Sequence, residues 1–261
     1  MPKARNPHGL SGKHGDLTFY TRRGKTYYRK NTILDEEKVK NDPAFENSRK
    51  AGREFGLAAK LSATFRTSLG GLSSFWGDGM LHERLTAHFN KAFKFLPGKR
   101  GVRPVSFSDI APHLSPFSFR ESRGLPFLPP VDVAKNRKTI SLDISNHYVL
   151  DRFKFPKGIS HFSISIAAII LSDLKPWEGS SKYHPIHPAL HGTMAIHHSD
   201  WYEVESKEEL PIGLKISFTF RNKIPDTVSV FFIIGLTLAE EVSNEFYPMR
   251  KRSLAFIAGI Y

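Results

Sequence analysis

The sequence predicts an α+β protein in which a basic N-terminal β-hairpin and two helices precede an antiparallel β-sandwich. Three observations lead to this prediction: an alternating segment near the N-terminus, two stretches of helical apolar spacing before residue 97, and several strand-length apolar runs after residue 115. The stretch "LPGKRGVRP" at 96–104 interrupts the helical spacing with Pro, Gly and charge. We therefore expect two domains, residues 1–103 and residues 104–261.

The hairpin is predicted by "GDLTFYTRRGKTYYRK" at 15–30. Alternating segments over 16–21 and 25–31 flank the turn, where Gly24 can adopt the positive φ that tight turns need. Cations interleave with Phe and Tyr, so one face can be aromatic and the other basic. The candidate partner-binding residues of this surface are Lys13, Arg22, Arg23, Lys25, Tyr28, Arg29 and Lys30.

The first helix is predicted from Asp42, a good N-cap, and Pro43, a good first helical residue. It should run to Leu69 and end at Gly70–Gly71. Within it, four small residues recur at helical spacing and form what we call the small-residue ridge: Gly52, Gly56, Ala59 and Ala63. Glycine in a helix interior costs about 1 kcal/mol relative to alanine. The ridge therefore predicts close packing against another helix, a strand or a second copy of the chain.

A second helix is predicted over 80–95, where apolar residues follow the 3.6-residue period. His88 lies on its apolar face, and we interpret it as a hydrogen-bonded core histidine rather than a ligand. Beyond residue 115, runs such as "TISLDIS", "GLKISFTF" and "VSVFFIIGLTL" are separated by turn clusters. Strands that follow one another without helices indicate an antiparallel sandwich.

Charge divides the chain unevenly. Residues 1–103 carry 21 Lys and Arg against 9 Asp and Glu, a net charge of +12, whereas residues 104–261 carry 17 against 16, a net charge of +1. This asymmetry favours an anionic partner for the N-terminal part, or a subunit partner that supplies the missing acidic residues. The chain has no cysteine, which excludes a disulfide scaffold and cysteine-based catalytic or zinc sites.

Five of the twelve histidines lie between 184 and 198. Histidine is the commonest metal ligand, which makes His184, His187 and His191 weak candidate ligands. Pro185 and Pro188 exclude the helix that would align them, so a Pro-rich loop without tightly bound metal is the preferred interpretation. The chain has no phosphate-binding loop, dinucleotide fingerprint or nucleophile elbow, and we expect no cofactor.

The N-terminal layout resembles an uncharacterised family common in Bacteroidota genomes. The matching residues are Ser11, Gly12, Lys13 and Gly15, then Arg29, then Arg49, Arg53, Phe55 and Arg66, and the C-terminal run "TLAEEVSNEFYPMRKRSLAFIAGIY" is similar to the strands that close such chains. The resemblance covers about 70 N-terminal and 35 C-terminal residues. It implies a helical N-terminal part followed by a β-sandwich, and no particular reaction.

The function that these features favour is non-catalytic: an accessory or structural subunit that docks on an acidic protein or a larger assembly through its basic module. Nucleic-acid binding by the same aromatic, basic hairpin is the alternative, and a metal-dependent enzyme at the histidine-rich loop is the third. The N-terminus shows no apolar signal-peptide core, so we expect a cytoplasmic protein, with association with an envelope or a phage-like assembly left open.

Overall fold

The computed structural model describes residues 11–22, 24–31, 36–121, 127–177 and 182–261. The helices in these ranges are α1 (Glu36–Asn41), α2 (Glu46–Leu69), α3 (Gly71–Trp76), α4 (Leu81–Ala92), α5 (Phe107–Leu114) and α6 (Asn146–Leu150). The strands are β1 (Gly12–His14), β2 (Leu17–Arg22), β3 (Lys25–Lys30), β4 (Phe117–Ser118), β5 (Val131–Val133), β6 (Thr139–Ser145), β7 (His161–Ser172), β8 (Leu174–Pro176), β9 (Tyr183–Pro185), β10 (Met194–His198), β11 (Tyr202–Glu203), β12 (Pro211–Ser217), β13 (Val228–Val242), β14 (Glu245–Pro248) and β15 (Leu254–Ile260).

The chain divides into two compact units, one ending at Arg49 and one spanning Lys50–Tyr261. This division differs from the expected boundary at residues 103–104. The physical reason is that residues of α2, α4 and α5 share one hydrophobic core with the strands of the largest sheet. The segment "LPGKRGVRP" is therefore a loop inside the second unit, not a linker between domains.

The first unit contains a three-stranded antiparallel sheet in the order β1–β2–β3. The predicted hairpin is present as β2 and β3, and Arg22 pairs with Lys25 across the turn. Gly24 has φ +70°, as that turn requires. The sequence did not predict β1, which adds a third strand beside β2.

Both predicted helices are present. The Asp42 carboxylate accepts a hydrogen bond from the Ala44 N–H at 2.8 Å, and a short 3-10 turn that begins at Pro43 leads into α2. This helix ends at Gly70, which has φ +54°. The second predicted helix is α4, continued by a 3-10 turn over Phe93–Phe95. His88, predicted as a hydrogen-bonded core histidine, is half-buried, and its Nε2 lies 3.0 Å from the Leu114 carbonyl oxygen.

The second unit is built on a large antiparallel sheet with the main order β10–β7–β13–β15–β4, to which β11 and β14 add at β7 and β13. Strands β7 and β13 are buried on both faces over most of their length. One face packs against α2, α4 and α5 through residues such as Phe65, Phe89 and Phe231. We call this the helix-side face.

The opposite face of the large sheet packs against the three-stranded sheet β12–β6–β5. Their shared core includes Ile164, Ile166 and Phe232 from the large sheet and Ile140 and Leu214 from the small one. The α+β class is confirmed, with two facing antiparallel sheets and a layer of helices on the outer face of the larger one. None of the described helices is long and apolar enough to cross a membrane.

Candidate functional site

The three-stranded sheet of the first unit separates its side chains into two faces. Successive residues of a strand point to opposite faces, and residues paired across antiparallel strands share a face. The register pairs Tyr20 with Tyr27, Arg22 with Lys25, and Thr18 with both Arg29 and Lys13. One face therefore carries what we call the tyrosine–cation face: Lys13, Tyr20, Arg22, Lys25, Tyr27 and Arg29.

Two tyrosine rings form the centre of this face. The Tyr20 and Tyr27 rings are stacked, with centroids 5.8 Å apart and an interplanar angle of 23°. The cross-strand pair Arg22–Lys25 lies on one side of the two tyrosines and forms one cation row. Lys13 and Arg29, which flank Thr18 on the neighbouring strands, lie on the other side and form the second cation row. All four cationic residues are exposed, whereas both tyrosines are half-buried. Positive charge thus brackets an aromatic surface on both sides.

The other face of the same sheet is apolar and aromatic. Phe19 pairs with Tyr28, their ring centroids lie 6.0 Å apart, and the His14 ring meets Phe19 edge to face. Lys30 also lies on this face, opposite Leu17. The structure thus separates Tyr28 and Lys30 from the other candidate partner-binding residues, and Arg23 lies outside the described residues.

The sequence places Phe19, Tyr20, Tyr27 and Tyr28 on the basic hairpin, and of these we predicted Tyr28 as the partner-binding residue; the register instead puts Tyr20 and Tyr27 with the cations. The signal that identifies them was present in the sequence. Arg22 pairs with Lys25, and counting outward from that pair places Tyr20 opposite Tyr27.

Backbone and side-chain hydrogen bonds hold the ends of this sheet. Asn31 follows β3, and its side-chain amide donates to the Gly15 carbonyl oxygen at 3.1 Å. The Thr18 hydroxyl donates to the Asn31 side-chain oxygen. The turn between β1 and β2 is therefore tied to the end of β3, which fixes Lys13 in the same row as Arg29.

The small-residue ridge of α2 is open within the second unit. Gly52 and Gly56 are exposed, and no atom lies within 4 Å of the position that a Cβ would occupy at either residue. Ala59 and Ala63 are half-buried. The described part of this chain does not make the predicted close packing at Gly52 and Gly56. The lower helix stability that glycine gives relative to alanine is therefore not offset by a packing contact at these two positions.

A groove of about 400 Å³ runs along the ridge. Its opposite wall includes Trp177, which is 61% exposed and meets the His184 ring edge to face at 5.5 Å. The cations that line the groove are Arg53, Lys60 and Lys182. An open groove with an aromatic wall and basic rims suits an anionic partner.

A buried ion pair holds one wall of this groove. The Glu54 carboxylate lies 2.8 Å from Nε of Arg103 and accepts the Gly101 N–H at 3.0 Å. The Tyr183 hydroxyl, which lines the groove, donates to the Arg103 carbonyl oxygen at 3.0 Å. Burial raises the pKa of Tyr183, and the Glu54 carboxylate adds to this effect, so the hydroxyl stays protonated as a donor.

The three weak metal candidates have separate partners. His184 contacts Trp177, and Nε2 of His187 lies 2.9 Å from the Thr227 hydroxyl oxygen. Nδ1 of His191 accepts the Ser172 N–H at 3.2 Å, and burial lowers the pKa of this ring. Over the described ranges of the chain, no group of three or more His, Asp or Glu side chains is arranged to hold a metal ion.

Comparison with known proteins adds no relative. No protein-family model, no curated protein and no solved structure matches this chain.

Proposed function

We propose that this protein is a non-catalytic binding protein that contacts single-stranded nucleic acid through its tyrosine–cation face. The observation that carries the proposal is the placement of four exposed cations around the stacked Tyr20–Tyr27 pair on one face of a small sheet. Cationic side chains release counterions from phosphates, and aromatic rings stack on unpaired bases.

An unpaired strand suits this face better than a duplex. In a duplex the bases are stacked on one another, and their flat faces are not available to a tyrosine ring. The aromatic pair lies between the two cationic rows, so a base on the tyrosines would have its flanking phosphates near Arg22 and Lys25 on one side and Arg29 on the other. Such a surface binds with little sequence preference.

Docking on a larger protein assembly is the second candidate function. The observation that favours it is the open small-residue ridge, whose glycines carry a helical cost without a contact in the chain. A partner that packs on Gly52 and Gly56 would use that open surface, and acidic side chains on it would meet Arg53, Lys60 and Lys182. The +12 charge of residues 1–103 is also compatible with an acidic protein surface.

The test is the salt dependence of binding between the full chain and a fluorescent single-stranded oligonucleotide. Four phosphate contacts give a log–log slope of about −2.8 on a single strand, from 0.7 per contact. The double variant Arg22→Ala, Lys25→Ala should lower the magnitude of that slope by about 1.4. Tyr20→Ala and Tyr27→Ala should each weaken binding by about 1–3 kcal/mol without changing the slope, because stacking releases no ions.

The opposite face of the same sheet supplies matched controls. Tyr28→Ala and Lys30→Ala remove one tyrosine and one cation from β3, but from the face that does not carry the cation rows. Both variants should bind with the affinity and slope of the parent chain. Binding that depends on Tyr28 as strongly as on Tyr20 and Tyr27 would contradict the proposal.

Docking gives a different pattern in the same assay. Oligonucleotide binding would then be weak and indifferent to both Tyr20→Ala and Tyr27→Ala. The protein that co-purifies with the chain from its native source would be lost from Gly56→Leu, which fills the groove, and retained by Tyr28→Ala.

A further inference from the structure

The helix-side face of the large sheet changes from apolar to hydroxyl-bearing along its strands. In β7, Ala167, Ile169 and Leu171 belong to the core under the helices, whereas Ser163 and Ser165 continue the same face toward the start of the strand. In β13, Phe231 and Ile233 are followed on that face by Gly235 and Thr237. One end of this face is therefore apolar, and the other end carries hydroxyl groups.

A cavity of about 300 Å³ lies over the hydroxyl-bearing end. Its polar lining consists of Ser163, Ser165, His198, Ser199 and Thr237, with no Lys, Arg, Asp or Glu side chain among the described residues that line it. Its remaining walls are apolar and include Trp76 and Trp201. We call this the hydroxyl-lined cavity.

The hydroxyl groups of this cavity have hydrogen-bond partners, and the Thr237 hydroxyl oxygen accepts the Trp76 indole N–H. The Ser163 hydroxyl donates to the Ser199 carbonyl oxygen at 3.0 Å, and the Ser199 hydroxyl donates to the Asp200 carbonyl oxygen at 2.7 Å. The Ser165 hydroxyl oxygen lies 2.7 Å from Nδ1 of His198. Burial lowers the pKa of His198, and the neighbouring His197 lowers it further, so the ring is neutral at neutral pH.

The hydrogen-bonding groups of the cavity determine which kind of ligand it can bind. Ser163 and Ser199 donate their hydrogens to backbone carbonyl oxygens and keep lone pairs, whereas Thr237 accepts the Trp76 N–H and keeps its hydrogen. The cavity therefore offers acceptors at the serines and a donor at Thr237, and a ligand must bring O–H or N–H donors for the serines and an acceptor for Thr237. A neutral His198 presents one donor or one acceptor at Nε2: Nε2 carries the proton when Nδ1 accepts from Ser165, and it is an acceptor when Nδ1 donates to Ser165. An anion would face these lone pairs without a cation to balance its charge.

The aromatic walls impose a second requirement. The Trp201 ring stacks with Phe246 on one side at 5.3 Å, and Trp76 is fully buried with its indole N–H 3.3 Å from the Thr237 hydroxyl oxygen. A ligand therefore needs an apolar face for the rings as well as donors for the serine oxygens. A sugar ring has both, since its C–H groups form an apolar face and its hydroxyls lie around the edge.

We infer that the hydroxyl-lined cavity binds the ring of a neutral sugar, with the ring packed on Trp201 and its hydroxyls donating to Ser163 and Ser165. This site is independent of the tyrosine–cation face, with which it shares no residue. The sugar can be a free monosaccharide or the terminal residue of a glycan, because both present the same ring chemistry.

Tryptophan fluorescence of the full chain tests this inference. The chain has three tryptophans, and Trp177 does not line this cavity, so the Trp177→Phe variant limits the signal to Trp76 and Trp201. Titration with free neutral hexoses and N-acetylhexosamines, and with neutral oligosaccharides, should give a saturable change in the millimolar range. Tighter binding of the oligosaccharides would identify a glycan end as the ligand, and equal binding would identify the free sugar.

Variants of the lining residues link the signal to the cavity. Ser165→Ala and Thr237→Val should each weaken binding by about tenfold, from the loss of one buried hydrogen bond. Trp201→Ala, monitored by NMR titration of the sugar, should weaken it at least as much. Ser229→Ala is the matched control, because it removes a buried hydroxyl from β13 at the end remote from the cavity.

Three results would overturn the inference. They are no saturable response to any neutral sugar up to its solubility limit, a response that Ser165→Ala and Trp201→Ala leave unchanged, and a preference for phosphate or sulfate over neutral sugars. Thermal melting of each variant separates lost binding from lost folding, and Thr237→Val retains the shape of the side chain if Ser165→Ala fails to fold.

Discussion

The contact between Trp76 and Gly235 gives the sharpest test of the packing described above. Gly235 lies in the middle of β13, opposite Ser165 of β7, and the Trp76 ring lies directly on it. A Cβ at position 235 would lie 2.5 Å from Cζ2 and 2.7 Å from Cε2 of Trp76. Real Cβ atoms do not approach other atoms so closely, so Gly235→Ala forces the ring or the strand to move.

The magnitude follows from two opposing effects. Alanine reduces the backbone entropy lost on folding and alone would stabilise the strand by roughly 0.5–1 kcal/mol. Overpacking a packed contact costs about 1–3 kcal/mol, and the fully buried Trp76 ring must then shift toward the hydroxyl-lined cavity that it borders. We expect a net loss of about 1–2 kcal/mol, which lowers Tm by roughly 2–8 °C for a chain of this size.

The assay is thermal melting with a glycine of the small sheet as the control. Gly213 lies in β12, and the nearest atom to its added Cβ is 4.0 Å away. Gly213→Ala should therefore melt at the parent temperature or slightly above it.

Trp76→Phe should reduce the loss of stability caused by Gly235→Ala, because the smaller ring leaves room for the methyl group. A double-mutant cycle measures this coupling. A Gly235→Ala protein that melts as high as the parent, or one whose cost Trp76→Phe leaves unchanged, would refute the reasoning.

Three further expectations rest on the second unit and can be checked by unfolding measurements. Gly56→Ala should raise the free energy of unfolding by up to about 1 kcal/mol, since nothing occupies the space that the methyl group enters, and a lower Tm would indicate a contact on the ridge. Deletion of residues 1–49 should leave a cooperative melting transition, whereas deletion of residues 1–70 should abolish it by removing core residues of α2, a contrast that circular dichroism can follow. The free energy of unfolding in urea should fall as the pH drops below 6.5, because burial lowers the pKa of three histidines and the unfolded chain binds more protons there, and a flat pH profile would contradict this. These histidines are His88, His191 and His198.

Local features of the fold could be predicted because each rests on neighbouring residues. The N-cap Asp42, the helix-ending Gly70 and the turn residue Gly24 all adopt the conformations that their chemistry favours. The packing of α2, α4 and α5 on the sheet could not be predicted in the same way. An amphipathic period shows that a helix has a buried face, but it does not show which strands cover that face.

The candidate sites show the same limit. Strand alternation in the hairpin contained enough information to place Tyr20 and Tyr27 among the cations, because the register follows from the turn. The small-residue ridge was interpreted as a packing contact from propensity alone, and the structure leaves it open. The hydroxyl-lined cavity joins residues of β7, β10, β13 and α3 that are far apart in sequence, and serines in strands carry no local signal of a shared cavity.

The Trp76–Gly235 contact also connects the stability of the second unit with its cavity. Trp76 is both a core residue and a wall of the hydroxyl-lined cavity, so a methyl group at position 235 that displaces the ring changes the cavity as well. Gly235→Ala, measured well below its Tm, should therefore weaken sugar binding, and it should leave oligonucleotide binding unchanged because the tyrosine–cation face belongs to the other unit. Tyr20→Ala should give the reverse result. If one substitution altered both activities in a folded protein, the two sites would be coupled, and the assignment of separate ligands to separate surfaces would fail.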